Sequence, residues 1–81
     1  MSITRMKEFI DYVIAEVEAE WVAIENAYST ELAEAYGEEY ELLQDQLDAE
    51  KRQTAYIWYG RAIDRGVRTL IANKAFNRFG I

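Results

Sequence analysis

The stretch DAEKRQTAYIWYGR, Asp48 to Arg61, decides the fold. If it is helical throughout, the chain is a long hairpin; if it bends near Gln53 and Thr54, the chain has three helical segments. No proline occurs anywhere, and no glycine interrupts the stretch before Gly60. Tyr56, Tyr59, Ile63, Val67, Leu70 and Ile71 recur at helical spacing from within it onward. It therefore reads as continuous or gently bent helix, and the sign of charge reverses along it.

Working outward, Ile3, Met6, Ile10, Val13 and Val17 step by three and four, and Ile14, Trp21, Ile24 and Tyr28 carry the rhythm on. Leu32, Tyr36, Tyr40, Leu43 and Leu47 form a further stripe. Ser2 is a cap-type residue at the start of the first helix. Two endings compete for that helix. Ser29 and Thr30, followed by Glu31 and Glu34, suit the start of a new helix, whereas Gly37 suits a helix that runs on to Tyr36. The working boundaries are helix 1 at about 2–28, helix 2 at about 30–52 and helix 3 at about 53–77, in a single domain. Gly60 and Gly66 each cost a helix about 1 kcal/mol relative to alanine, and are expected to mark a kink or a close contact beside Ala55 and Ala62. No strand-like alternation competes.

The fold class is all-α, a small up-down helical bundle of two or three long helices. At 81 residues one domain buries only about 60 to 65% of the surface its unfolded chain exposes. A two-helix hairpin also leaves an apolar face uncovered, so a homodimer forming a four-helix bundle is favoured over a monomer. With 51% hydrophobic residues the chain folds despite its acidity. The N-terminal apolar run is broken by Asp11 and Glu16, so neither a signal peptide nor a membrane span is expected, and the absence of cysteine fits a cytoplasmic protein.

From Glu8 to Glu50 there are fourteen acidic residues and no Lys or Arg, whereas from Lys51 onward there are seven basic residues and only Asp64; Arg5 and Lys7 complete a net charge of −6. Such segregation departs from the mixed surface that ordinarily confers solubility. The opposite signs can meet within the bundle, across a dimer, or against another molecule. Exposed pairs are individually weak, about 0.3 to 1 kcal/mol.

Two surfaces stand out. Glu16, Glu20, Glu31, Glu34, Glu38, Glu41, Asp45 and Asp48 form a candidate acidic binding surface, several of them spaced to line one helix face. Carboxylates so arrayed can imitate nucleic-acid phosphates and occupy a basic groove. Tyr56, Trp58, Arg61, Arg65 and Arg68 form a candidate aromatic and basic interface, with the three arginines stepping by four and three. Tyr56, Trp58 and Tyr59 cannot share one core, because residues two apart point about 200° apart on a helix. A pI near 4.5 opposes direct nucleic-acid binding.

Without histidine or cysteine, Ser-His-Asp and Cys-His catalysis and the zinc or haem sites built on those ligands are excluded, and no phosphate-binding glycine loop exists. Glu31/Glu34 and Glu38/Glu41 have the Glu-x-x-Glu spacing with which all-α nucleotide pyrophosphatases hold Mg²⁺. That likeness implies a Mg-dependent nucleotide hydrolase, but no matching second pair stands at a convincing distance and no cationic residue lies among them to hold a substrate phosphate, so a solvated face is preferred. The pattern points to a non-catalytic accessory or inhibitory protein with a protein partner and no cofactor, analogous to small acidic inhibitors carried by viruses and mobile elements. The alternative is a nucleic-acid-binding module using the basic C-terminal helix.

Overall fold

A computed structural model describes residues 1–81. Helix α1 spans Ile3–Glu34, α2 spans Glu38–Asp64, α3 spans Thr69–Phe76, and a 3₁₀ turn, Asn77–Phe79, follows directly. No strand is present. α1 and α2 form an antiparallel hairpin, and the short α3 folds back against its open end.

The first helix starts where Ser2 caps it, its hydroxyl accepting from the Arg5 N–H at 3.2 Å. It does not end near Ser29. The Ser29 hydroxyl donates to the Asn26 carbonyl at 2.8 Å, bonding back to the preceding turn instead of capping a new helix. α1 therefore runs to Glu34, past the shorter of the two expected ends, and the chain reverses through Ala35, Tyr36 and Gly37. Gly37 takes φ +65°, ψ −137°, a combination that residues with a side chain avoid. Glu38, Glu39 and Glu41 then occupy the first turn of α2, where the helix dipole favours carboxylates.

The expected division between residues 52 and 53 is corrected: α2 passes through it unbroken. The break lies instead at Gly66, which is not a helix-interior glycine. It adopts φ +97°, its N–H donates to the Ile63 carbonyl, and the Val67 N–H donates to the Ala62 carbonyl at 3.1 Å. That pair of bonds is a Schellman motif, and Val67 and Ala62, both buried, make the apolar contact that accompanies it. Gly60 marks no close contact, since nothing lies within 4 Å of where its Cβ would stand.

The core lies at one end. Ile10, Val13, Ile14 and Val17 of α1 meet Ala55 and Ala62 of α2, with Val67, Ala72, Phe76 and Phe79 closing over them. Small alanines on α2 let the helices approach closely. Phe76, Val13 and Val17 are fully buried, each worth about 1.5 to 3 kcal/mol. Edge-on aromatic contacts tie the elements together: Tyr59 to Phe76 at 5.5 Å, Phe76 to Phe79 at 5.5 Å and Phe79 to Trp21 at 4.9 Å. The Tyr59 hydroxyl also donates to the Asn73 side chain at 2.6 Å.

Toward the loop the hairpin continues as a bare pair of helices in which Leu47 is the one buried residue. The stripe from Leu32 to Leu47 is thus only partly used: Tyr36 is 86% exposed, and Tyr40 is exposed as well. Leu70, at 71% exposure, likewise lies outside the core, because the turn at Gly66 takes it off the face it was expected to share with Ile63. The molecule measures 49 × 17 × 17 Å. No helix is long and apolar enough to cross a membrane.

Candidate binding cleft and acidic prong

The hairpin sets residues at similar chain distances from Gly37 opposite one another. This brings Phe9 of α1 to Arg65 at the end of α2, whose guanidinium lies 5.8 Å from the ring centroid. Arg61 lies 4.5 Å from the Trp58 ring, and Tyr12 meets Trp58 edge-on at 6.2 Å. The Trp58 indole N–H donates to the Glu20 carboxylate at 2.9 Å. The result is a cleft of about 510 Å³ lined by Phe9, Tyr12, Trp58, Arg61, Asp64 and Arg65. A second hollow of about 370 Å³, with Glu20, Ile24 and Ile57 in its lining, shares Trp58 and Arg61 with the first. Both are built from the two arms of the hairpin, on the flank that α3 leaves open.

Stacking uses the flat face of a guanidinium and leaves the N–H donors in its plane free. Neither Arg61 nor Arg65 joins an ion pair; the two ion pairs present are Lys51 with Glu25 and Arg78 with Glu18, both at 3.7 Å. The cleft thus offers aromatic walls, two arginines beside a single carboxylate, Asp64, at one end, and Glu20 at the other.

Of the expected aromatic and basic set, the fold brings together Trp58, Arg61 and Arg65. Tyr56 is exposed and outside the cleft lining, and Arg68 sits at the N-cap of α3, because α2 has already ended. Phe9 and Tyr12 join the site without any sequence signal for it. Locally they look like any aromatic on an amphipathic helix, and only the position of the reversal at Gly37 pairs them with Arg65 and Trp58.

The acidic set divides. Glu16 is half-buried on α1, and Glu20 is engaged by Trp58. Glu31, Glu34, Glu38, Glu41, Asp45 and Asp48 are exposed on the loop-side ends of α1 and α2, which project beyond the core as a two-helix prong. Asp48 faces the α3 side beside Trp21, Lys51 and Phe79, and Glu41 and Asp45 share its face of α2 by their spacing. Glu31/Glu34 and Glu38/Glu41 stand on opposite sides of the loop, and no three carboxylates converge into a group that could hold a metal ion.

The base of the prong is clamped where the charge reverses. Trp21 donates its indole N–H to the Lys51 carbonyl at 2.8 Å, and the Lys51 ammonium lies 4.5 Å from the same ring. Further along, the Tyr28 phenol is held above its ordinary value by burial first and then by the Glu50 and Glu31 carboxylates. No protein-family model, curated protein or solved structure matches this chain.

Proposed function

We propose that this is a non-catalytic protein-binding protein, accessory or inhibitory to a larger partner, acting through the acidic prong as a mimic of nucleic-acid charge. The observation that carries the reading is the density and isolation of the prong's carboxylates. From Glu25 to Glu50 there are nine, with no Lys or Arg among them, and only Glu25 is ion-paired. They occupy about 18 Å of helix axis, one charge per roughly 2 Å, against one per about 1.7 Å in duplex DNA. A groove shaped for phosphates meets a comparable field on a narrow rod. Exposed Tyr36, Tyr40 and Leu42 among the carboxylates supply apolar contact beyond charge. Direct nucleic-acid binding through the basic helix has less support, since Arg68 leaves the Arg61/Arg65 face and a net charge of −6 repels a polyanion.

The test is displacement of a labelled duplex from a panel of DNA-binding proteins with basic grooves, read by fluorescence anisotropy at several salt concentrations. Displacement that weakens with salt is expected from the natural sequence. It is expected to be lost in the combined variant Glu38→Gln, Glu41→Gln, Asp45→Asn, Asp48→Asn, with helicity retained. Displacement that survives this variant, or none across the panel, refutes the mimicry.

A further inference from the structure

We infer that the cleft centred on Trp58 is a self-association surface, occupied by a second copy of the chain packed antiparallel, cleft to cleft, about a two-fold axis at the level of Trp58. The two hollows adjoin at Trp58 and Arg61, which line both, and together they carry Arg61 and Arg65 beside Asp64, a net positive charge, at one end and Glu20 at the other. A groove with opposite charges at its ends is complementary to its own reverse. Arg61 lies about 4.5 Å of axial rise beyond Trp58. Glu20, bonded to the Trp58 indole, lies toward the loop, so the two-fold sets Arg61 of each copy over Glu20 of the other. Arg65 then faces the base of the opposing prong, where Glu50 stands one helical turn before Thr54 of the second hollow.

Size and shape point to the same occupant. A compact monomer of 9.5 kDa exposes about 5,050 Å², and this chain exposes 5685 Å². Its radius of gyration is 15.1 Å, against about 12 Å for a compact chain of this length. The excess of roughly 600 Å² approaches the ~800 Å² per partner that a standard interface buries. Exposed Ile57 and Tyr12, with half-buried Ile24, provide the apolar centre. A second hairpin on this flank completes a four-helix bundle. The α2 face carrying Glu41, Asp45 and Asp48 lies away from the cleft and stays free in the dimer, so the inference does not depend on the prong's proposed use.

Sedimentation equilibrium of the full chain tests it. A species of about twice 9.5 kDa is expected, with a dissociation constant that rises with salt. Ile57→Glu, at an exposed position, and Arg61→Glu should each weaken association about tenfold or more. Glu20→Arg should do the same, and the double reversal, Arg61→Glu with Glu20→Arg, should recover association toward that of the natural chain. Far-UV circular dichroism of each variant separates loss of association from loss of fold. A concentration-independent monomer overturns the inference. So does unchanged association in Ile57→Glu, a double reversal no tighter than either folded single variant, or a monomer that takes up a labelled single strand in the cleft at low salt.

Discussion

Replacing Gly60 by alanine should stabilise the protein, although a glycine at this point of the sequence suggests a kink. Gly60 lies inside α2, and an added Cβ would meet nothing within 4 Å. The substitution therefore removes the entropic cost of glycine in a helix without introducing a clash, a gain of about 0.8 to 1 kcal/mol. For a domain of this size that corresponds to a rise in Tm of roughly 3 to 8 °C. Gly66 provides the control. It holds φ +97° in the Schellman turn, so Gly66→Ala should lose about 1 to 2 kcal/mol and lower Tm, even though its Cβ position is equally open. Thermal unfolding followed at about 222 nm, the helix signal, reads both, with protein concentration held constant so that any association contributes equally. A lower Tm for Gly60→Ala, or an unchanged one for Gly66→Ala, would refute the assignment of one glycine to the helix interior and the other to its end.

Phe76→Ala should cost about 3 to 5 kcal/mol, seen as a large drop in the denaturant midpoint, because this fully buried ring joins Tyr59 to Phe79. Trp21→Phe should cost about 1 to 2 kcal/mol in the same assay, since it leaves the Lys51 carbonyl without the indole donor and reduces the contact with Phe79. Because the Tyr28 phenol is raised in the folded state, the stability it contributes is present below the ordinary tyrosine range and lost as pH rises through the folded value. Ultraviolet titration of the phenolate absorbance in the natural chain and in Tyr28→Phe should accordingly show the Tyr28 phenol ionising above the ordinary tyrosine range, moved back toward normal by Glu50→Gln. Hydrogen exchange should be slowest for amides around Val13, Val17 and Ala62 and progressively faster toward Gly37, where Leu47 alone is buried.

The helical class was legible because apolar residues keep a three-and-four rhythm with no proline to break it. The ends of the helices were harder to read, and for two different reasons. Ser29 has the chemistry of a cap but satisfies its hydroxyl on the preceding turn, a choice the residue type leaves open. Gly66 followed by Val67 is a local signature of a Schellman ending, hidden by the continuing apolar spacing of Leu70 and Ile71 beyond it. At the cleft, Trp58, Arg61 and Arg65 lie within a few residues of one another and their proximity follows from spacing alone. Phe9, Tyr12 and Glu20 come from the other arm of the hairpin, and placing them requires the register set at Gly37.

The one-sided core has a consequence for how this chain can change. The buried residues that hold the fold belong mostly to segments before Trp21 and after Thr54, whereas no residue from Glu38 to Asp45 is buried or belongs to the core cluster. Substitutions at the exposed positions of this stretch, beyond the strained Gly37, therefore carry little folding cost, typically within about 0.5 kcal/mol for such surface positions. In a compact globule a new surface pattern competes with packing just beneath it. On this rod the outer carboxylates can be redrawn one by one while the far end continues to fold, so mutational drift there is constrained by whatever the tip meets and hardly at all by the need to stay folded.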